Sequence, residues 1–201
     1  MKKLMLSVSL LAATVAFADP SMFTVEPGNA ATLVQFKSQA TLETVVGKTR
    51  TATGFVELGD SAGRSEIHVD LASLKTGISK RDQDMRDDFL QTKQYPEAVF
   101  TVTQLDLPQT GLTENTRTRV TVKGNLTLHG TTREVEPETY LTLGTGSQTL
   151  RIESAFVVKL PDYNIARPQF LLLRLAEEQN ISVDITAVSE NRGETTRRSG
   201  Q

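Results

Sequence analysis

The sequence predicts an all-β chain of about eight antiparallel strands with one short helix, and three observations carry that reading. Apolar and polar residues alternate with a period of two through most of the chain. Thr fills 27 of 201 positions and Trp none, a composition suited to a pleated, half-buried surface. Gly, Pro, Asn and Asp punctuate the apolar segments at short intervals. One apolar face per strand means packing on one side only, which about eight strands achieve as a sandwich or an up-and-down barrel.

The first residues read as an export signal. Lys2 and Lys3 precede a mostly apolar run, Leu4–Val15, and Ala16-Phe17-Ala18 fits a small-x-small cleavage site. The run falls short of the roughly 20 residues a spanning helix needs, and no later segment is long and apolar enough. The expected organisation is a signal peptide over 1–18, one domain over 19–189 and a polar, disordered tail over 190–201. Cleavage after Ala18 removes two lysines and takes the formal charge from −2 to −4. A mildly acidic chain does not suit nucleic acid or an anionic membrane surface. With no Cys, neither a lipid anchor on cysteine nor a disulfide is available, so packing and strand closure must hold the domain.

Strands are expected in order at 31–38, 52–59, 66–71, 97–106, 120–128, 132–143, 150–158 and 181–185. The clearest are Ile67-Val69-Leu71, Val120-Val122-Leu126-Leu128, Leu150-Ile152-Phe156-Val158 and Ile181-Val183-Ile185, each set on one face. Residues 77–96 form the one long connection. There Ser79-Lys80-Arg81-Asp82 reads as a capped helix start, and Met85 and Phe89 fall four apart. A helix of one to three turns would lay Met85, Phe89 and Leu90 on the sheet or over a barrel end, with Pro96 as its stop.

Catalytic patterns are absent. No nucleophile elbow, phosphate loop or dinucleotide fingerprint occurs. The two histidines, His68 and His129, are too few for a His-rich metal site and read as structural or solvated. Asp82, Asp84, Asp87 and Asp88 resemble a calcium loop, but Asp87 stands where the turn glycine belongs and Lys93 where the closing Glu belongs. A hydrolase built on these aspartates and His129 is the weakest alternative. The expectation is a non-enzyme with no metal and no cofactor. An eight-stranded barrel can instead hold one small ligand among its inward side chains.

Three ordered motifs then give a family resemblance. Thr76-Gly77, Arg81-Asp82-x-x-Met85-Arg86-x-Asp88-Phe89-Leu90 and Tyr95-Pro96-x-x-x-Phe100 make the first. Val122-x-Gly124-x-Leu126-Thr127-Leu128-His129-Gly130-Thr131-Thr132 is the second, and Asp162-Tyr163-x-Ile165 with Ile181-x-Val183-x-Ile185 the third. From about Phe23 to Val188 the chain resembles the YceI-like family. That resemblance implies an eight-stranded, lipocalin-like antiparallel β-barrel, periplasmic or secreted in bacteria, with a polyisoprenoid or other long-chain lipid as its partner. Two departures stand out: Asp84 and the run Phe36-Lys37-Ser38-Gln39 occupy positions where the family often has His.

The cavity-lining candidates are Ile67, Val69, Phe89, Phe100, Val102, Val120, Val122 and Phe156. Lys80, Arg81 and Arg86 are candidates for meeting an anionic headgroup, with an Arg81–Asp82 structural pair as the plainer reading. Gly124 leaves room for a ligand chain or marks a bend. The expected function is an exported carrier or store of an isoprenoid, the alternative a stress-related or structural envelope protein with no obligatory lipid. A homodimer is compatible with either.

Overall fold

Alternating segments become neighbouring strands in the computed structural model, which describes residues 21–40, 43–59, 65–170 and 173–190. The expected signal peptide, and the tail beyond Glu190, lie outside the described residues. Twelve strands occur among those described: β1 (Ser21–Val25), β2 (Leu33–Ala40), β3 (Thr44–Thr49), β4 (Ala52–Leu58), β5 (Glu66–Asp70), β6 (Glu97–Asp106), β7 (Arg117–Leu128), β8 (Thr131–Val135), β9 (Glu138–Leu143), β10 (Thr149–Lys159), β11 (Gln169–Phe170) and β12 (Leu173–Ser189).

Eight of them close a ring in the order β1-β4-β5-β6-β7-β9-β10-β12, with β12 returning to β1, and every strand pairing in it is antiparallel. The expected number of barrel strands holds, but one member differs. The segment expected at 31–38 is β2, which lies off this ring, and β1 takes the remaining place. In β1 the apolar Met22 stands next to Phe23, so no clean alternation announces the strand although Phe23 and Val25 are buried.

The 17-residue β12 makes this arrangement possible by serving two neighbours along one edge. Its last residues pair with β1 at Thr24↔Val188 and Phe23↔Ser189. Its earlier part, from Leu175 to Asp184, pairs with β2. β2 then pairs with β3, and β3 reaches the segment after β5 through two reciprocal hydrogen bonds between Lys48 and Lys75, 2.8 and 2.9 Å.

The single strand expected at 132–143 is interrupted at Glu136-Pro137, between β8 and β9. Proline has no N–H to give the ladder. β9 stays beside β10, while β8 pairs only with β7. A 3₁₀ turn, Leu160–Tyr163, meets β8 where Arg133 Nε donates to the Asp162 carbonyl at 3.1 Å.

The long connection folds as α1 (Ser79–Asp84), followed by one wide turn over Met85–Phe89. Ser79 is the first helical residue instead of the cap; Ile78 holds the cap position and offers no side-chain bond. Asp82 takes over the anchoring, accepting from the Thr76 amide at 2.7 Å and the Thr76 hydroxyl at 2.6 Å. The helical turns end at Leu90, before a left-handed Gln91, well short of Pro96. Pro96 works elsewhere, its carbonyl accepting from Leu71 N at 2.9 Å.

Two apolar clusters fill the barrel. One gathers Phe23, Val25, Val34, Ala52, Val120, Leu141, Leu150 and Ile185 towards the β1 end. The other gathers Leu71, Leu74, Leu126, Leu128, Val158, Leu160, Tyr163 and Ile165 towards the helix end, with Met85, Phe89 and Leu90 packed against it. Phe100 touches both.

Candidate functional site

Between and beside these clusters lies a cavity of about 260 Å³. Its wall takes inward side chains from nearly every strand, among them Phe36, Val56, Leu126, Leu141, Ile152, Ile181 and Ile185. Period-two alternation puts these residues inside. The space between them remains open because the ring of strands holds the opposite walls apart. The volume exceeds the roughly 150 Å³ of a dry apolar cavity known to admit benzene.

Seven of the eight candidate lining residues stand on this wall: Ile67 and Val69 of β5, Phe100 and Val102 of β6, Val122 of β7, Phe156 of β10, and Phe89 from the connection. Val120 does not. It is 7% exposed and belongs to the cluster at the β1 end, with the fully buried Phe23, Leu150 and Ala187. Alternation reports which way a side chain faces, and at Val120 that way leads into solid core.

Two phenylalanines of the wall lie across glycines of the next strand. The Phe36 ring covers Gly47, its register partner. Phe100 covers Gly124, where an added Cβ would stand 2.5 Å from the ring and 2.6 Å from the Thr101 carbonyl oxygen. The room expected at Gly124 is therefore taken by a protein ring. β6 also shifts register between Val102 and Gln104, opposite Gly124 and Lys123, so the glycine marks a bend as well.

Polar groups on the wall are few and engaged. Arg81 reaches it but donates from Nε to the Thr76 hydroxyl at 2.8 Å, from Nη2 to the Thr76 carbonyl at 3.2 Å and from Nη1 to Glu43 at 3.0 Å. Lys80 and Arg86 are not on the wall. Lys80 is 78% exposed and pairs with Asp84 at 2.5 Å, while Arg86 holds a buried Nη1 without a partner. Gln179 Nε2 donates to the Ala176 carbonyl at 2.8 Å and braces the register shift of β12 between Leu175 and Gln179. At mid-height Thr139 and Ser154 join hydroxyls at 2.9 Å, and the Thr139 hydroxyl also donates to the Pro137 carbonyl at 3.2 Å. Sequence reasoning missed this pair. The visible signal was Ser154, a hydroxyl on the inward face between Ile152 and Phe156.

The remaining chemistry-bearing residues lie off the cavity. His68 is clamped between Glu97 at 2.9 Å and Glu66 at 2.6 Å. The Glu97 hydrogen bond outweighs desolvation and, with Glu66, raises the imidazole pKa. His129 donates from Nδ1 to the Tyr163 carbonyl at 3.1 Å and rests on Tyr95, ring centroids 4.5 Å apart. Burial works against the charged form of Asp82, but the Thr76 hydrogen bonds prevail and hold its carboxyl below the usual range. Among the described residues no three His, Asp or Glu side chains are grouped to hold a metal ion. No helix among them is long and apolar enough to cross a membrane.

Known proteins match this architecture. Protein YceI of Escherichia coli O157:H7 is 30% identical over 117 residues, covering 55% of this chain and 56% of that protein. The UPF0312 protein of Yersinia enterocolitica is 32% identical over the same length and shares. The chain thus spans little more than half the length of these relatives. Among solved structures, a polyisoprenoid binding domain from Saccharophagus degradans, described as implicated in plant cell wall breakdown, superposes with a TM-score of 0.68. It is 18% identical and covers 83% of this chain and 98% of that one. BcnA of Burkholderia cenocepacia gives 0.61 at 19% identity, covering 78% and 96%. These likenesses agree on the fold, and because the YceI-like domain model matches residues 23–187, the chain belongs to the YceI-like family.

Proposed function

We propose that this protein is an exported lipid carrier that holds a polyisoprenoid, or another long apolar chain, inside its barrel. The observation that carries the reading is the cavity, whose wall is almost wholly aliphatic and aromatic and draws on both core clusters. Each Å² of apolar chain moved from water into such a space is worth roughly 25 cal/mol. That term favours long hydrocarbon ligands over polar ones. The Saccharophagus relative is described as a polyisoprenoid binding domain, which supports the same ligand class here. Export rests on the lysines, apolar run and small-x-small site of residues 1–18. A water-soluble barrel is useful in an aqueous compartment that such lipids cannot cross unaided.

Native mass spectrometry of the mature protein from its own host tests this reading directly. The expected spectrum contains a co-purified isoprenoid that disappears in the Val122→Asp and Phe156→Asp variants, since each places a charge on the wall. A protein that is ligand-free from its host and shows no saturable binding of added isoprenoids contradicts the reading.

A further inference from the structure

We propose that the cavity selects uncharged lipids bearing a hydroxyl group, and that Ser154 is the residue that reads the hydroxyl. This rests on the lipid-binding reading above and narrows its ligand class.

The direction of the protons at mid-height is the first support. Thr139 is 2% exposed and its hydroxyl donates to the Pro137 carbonyl. A hydroxyl has one proton and two lone pairs. With that proton committed, the 2.9 Å contact between Thr139 and Ser154 must be donated by Ser154. Ser154 is one of the residues lining the cavity, and its Oγ is then left with lone pairs as its only free hydrogen-bonding capacity. A ligand hydroxyl can donate to it without disturbing anything. A ligand that only accepts, such as an ether or a carbonyl, requires Ser154 to turn its proton into the cavity. Thr139 can keep its bond to Pro137, but its oxygen and that of Ser154 then face each other at 2.9 Å with no proton between them. The buried Thr139 hydroxyl loses its donor, and a buried hydrogen bond given up in this way is costly.

The cations supply the second support. Arg81 is the one cationic side chain on the wall among the described residues, and Thr76 and Glu43 already hold it. Lys80 is bound to Asp84, and Arg86, whose unpartnered Nη1 is buried, lies off the wall. A phosphate drawn into this space would shed its hydration with no free positive charge to replace it.

The experiment titrates the mature, delipidated protein with geranylgeraniol, its methyl ether and its monophosphate, and repeats the series on Ser154→Ala. The alcohol is expected to bind about fivefold more tightly than the ether, the gain of one hydrogen bond, with the phosphate weakest. Ser154→Ala should bring the alcohol down to the affinity of the ether while leaving the ether unchanged. Equal binding of alcohol and ether by the wild type overturns the proposal. So does a phosphate that binds as tightly as the alcohol, or a Ser154→Ala protein that keeps its preference for the alcohol. Each of these results leaves lipid binding intact. If none of the three ligands saturates, the lipid-binding reading falls with the proposal.

Discussion

Phe100 and Gly124 show how much a single contact settles on this wall. The ring lies where a side chain on β7 would otherwise stand, so the two residues fill one place together. Gly124→Ala drives a methyl group against the ring and against the Thr101 carbonyl, and the backbone oxygen cannot swing away. The expected cost is about 1–3 kcal/mol in denaturant unfolding, with weaker lipid binding as Phe100 is pushed into the cavity. The sequence marked Gly124 as unusual, since a glycine in a strand interior needs a reason, but the ring that occupies its space comes from β6 and is invisible in local spacing. Ser154 was legible in the same partial way: its place on the inward face could be read, whereas its proton's direction depends on Thr139 of β9 and on Pro137 just before that strand. His68 carries a pH signature. Its folded pKa lies above the unfolded value of about 6.5, so its clamp between Glu97 and Glu66 stabilises the fold fully below that value. The contribution fades as pH rises through the raised pKa. Unfolding midpoints measured across that range should fall for the wild type and flatten for His68→Gln.

At the scale of elements, the connection between β5 and β6 holds the short helix that the sequence predicts on the sheet or over a barrel end, but both of its ends differ from the prediction. A Ser followed by a charged turn is a reasonable cap pattern, but the anchor here is Asp82 reaching back six residues to Thr76, a local contact outside the usual cap spacing. Pro96 was a plausible stop, yet the wide turn at Met85–Phe89 and the left-handed Gln91 end the helix first. Asp82 therefore latches the segment whose Met85, Phe89 and Leu90 close the cavity. Asp82→Ala removes two hydrogen bonds to a buried carboxylate and should cost about 2 kcal/mol. The effect should be local. Amide exchange should rise over residues 78–92 while the strands of the ring keep their protection. Exchange that rises evenly through the barrel would show that the segment is part of the core instead of a cover. The strands carry the same lesson. Segments with clean alternation were legible, β1 with its adjacent Met22 and Phe23 was not, and Pro137 divided a segment whose periodicity runs on without a break.

For the whole molecule, the family, the ring of eight strands and the apolar interior were legible because each repeats one signal over many residues. The order of the ring was not, since it depends on which strand lies along which part of β12. With no Cys in the chain, stability rests on closure and on what fills the interior. A bound lipid should therefore add to it by mass action: at a hundredfold excess over Kd the gain is about 2.7 kcal/mol. For a domain of this size that moves Tm up by about 5–10 °C, a shift calorimetry of loaded and stripped protein can read. The double duty of β12 has a mechanical side. At one end the barrel is a hoop fastened by β1 along five register pairs with β4 and two with β12. At the other end the hoop runs through β2 and β3 and is fastened to the next segment by the two Lys48–Lys75 hydrogen bonds, the Thr49–Ser73 hydroxyl contact and the Arg81–Glu43 ion pair. A hoop yields at its weakest fastening. The two ends share a single stave, so the helix end can widen its girth at the cost of these few polar contacts while the β1 end stays tight.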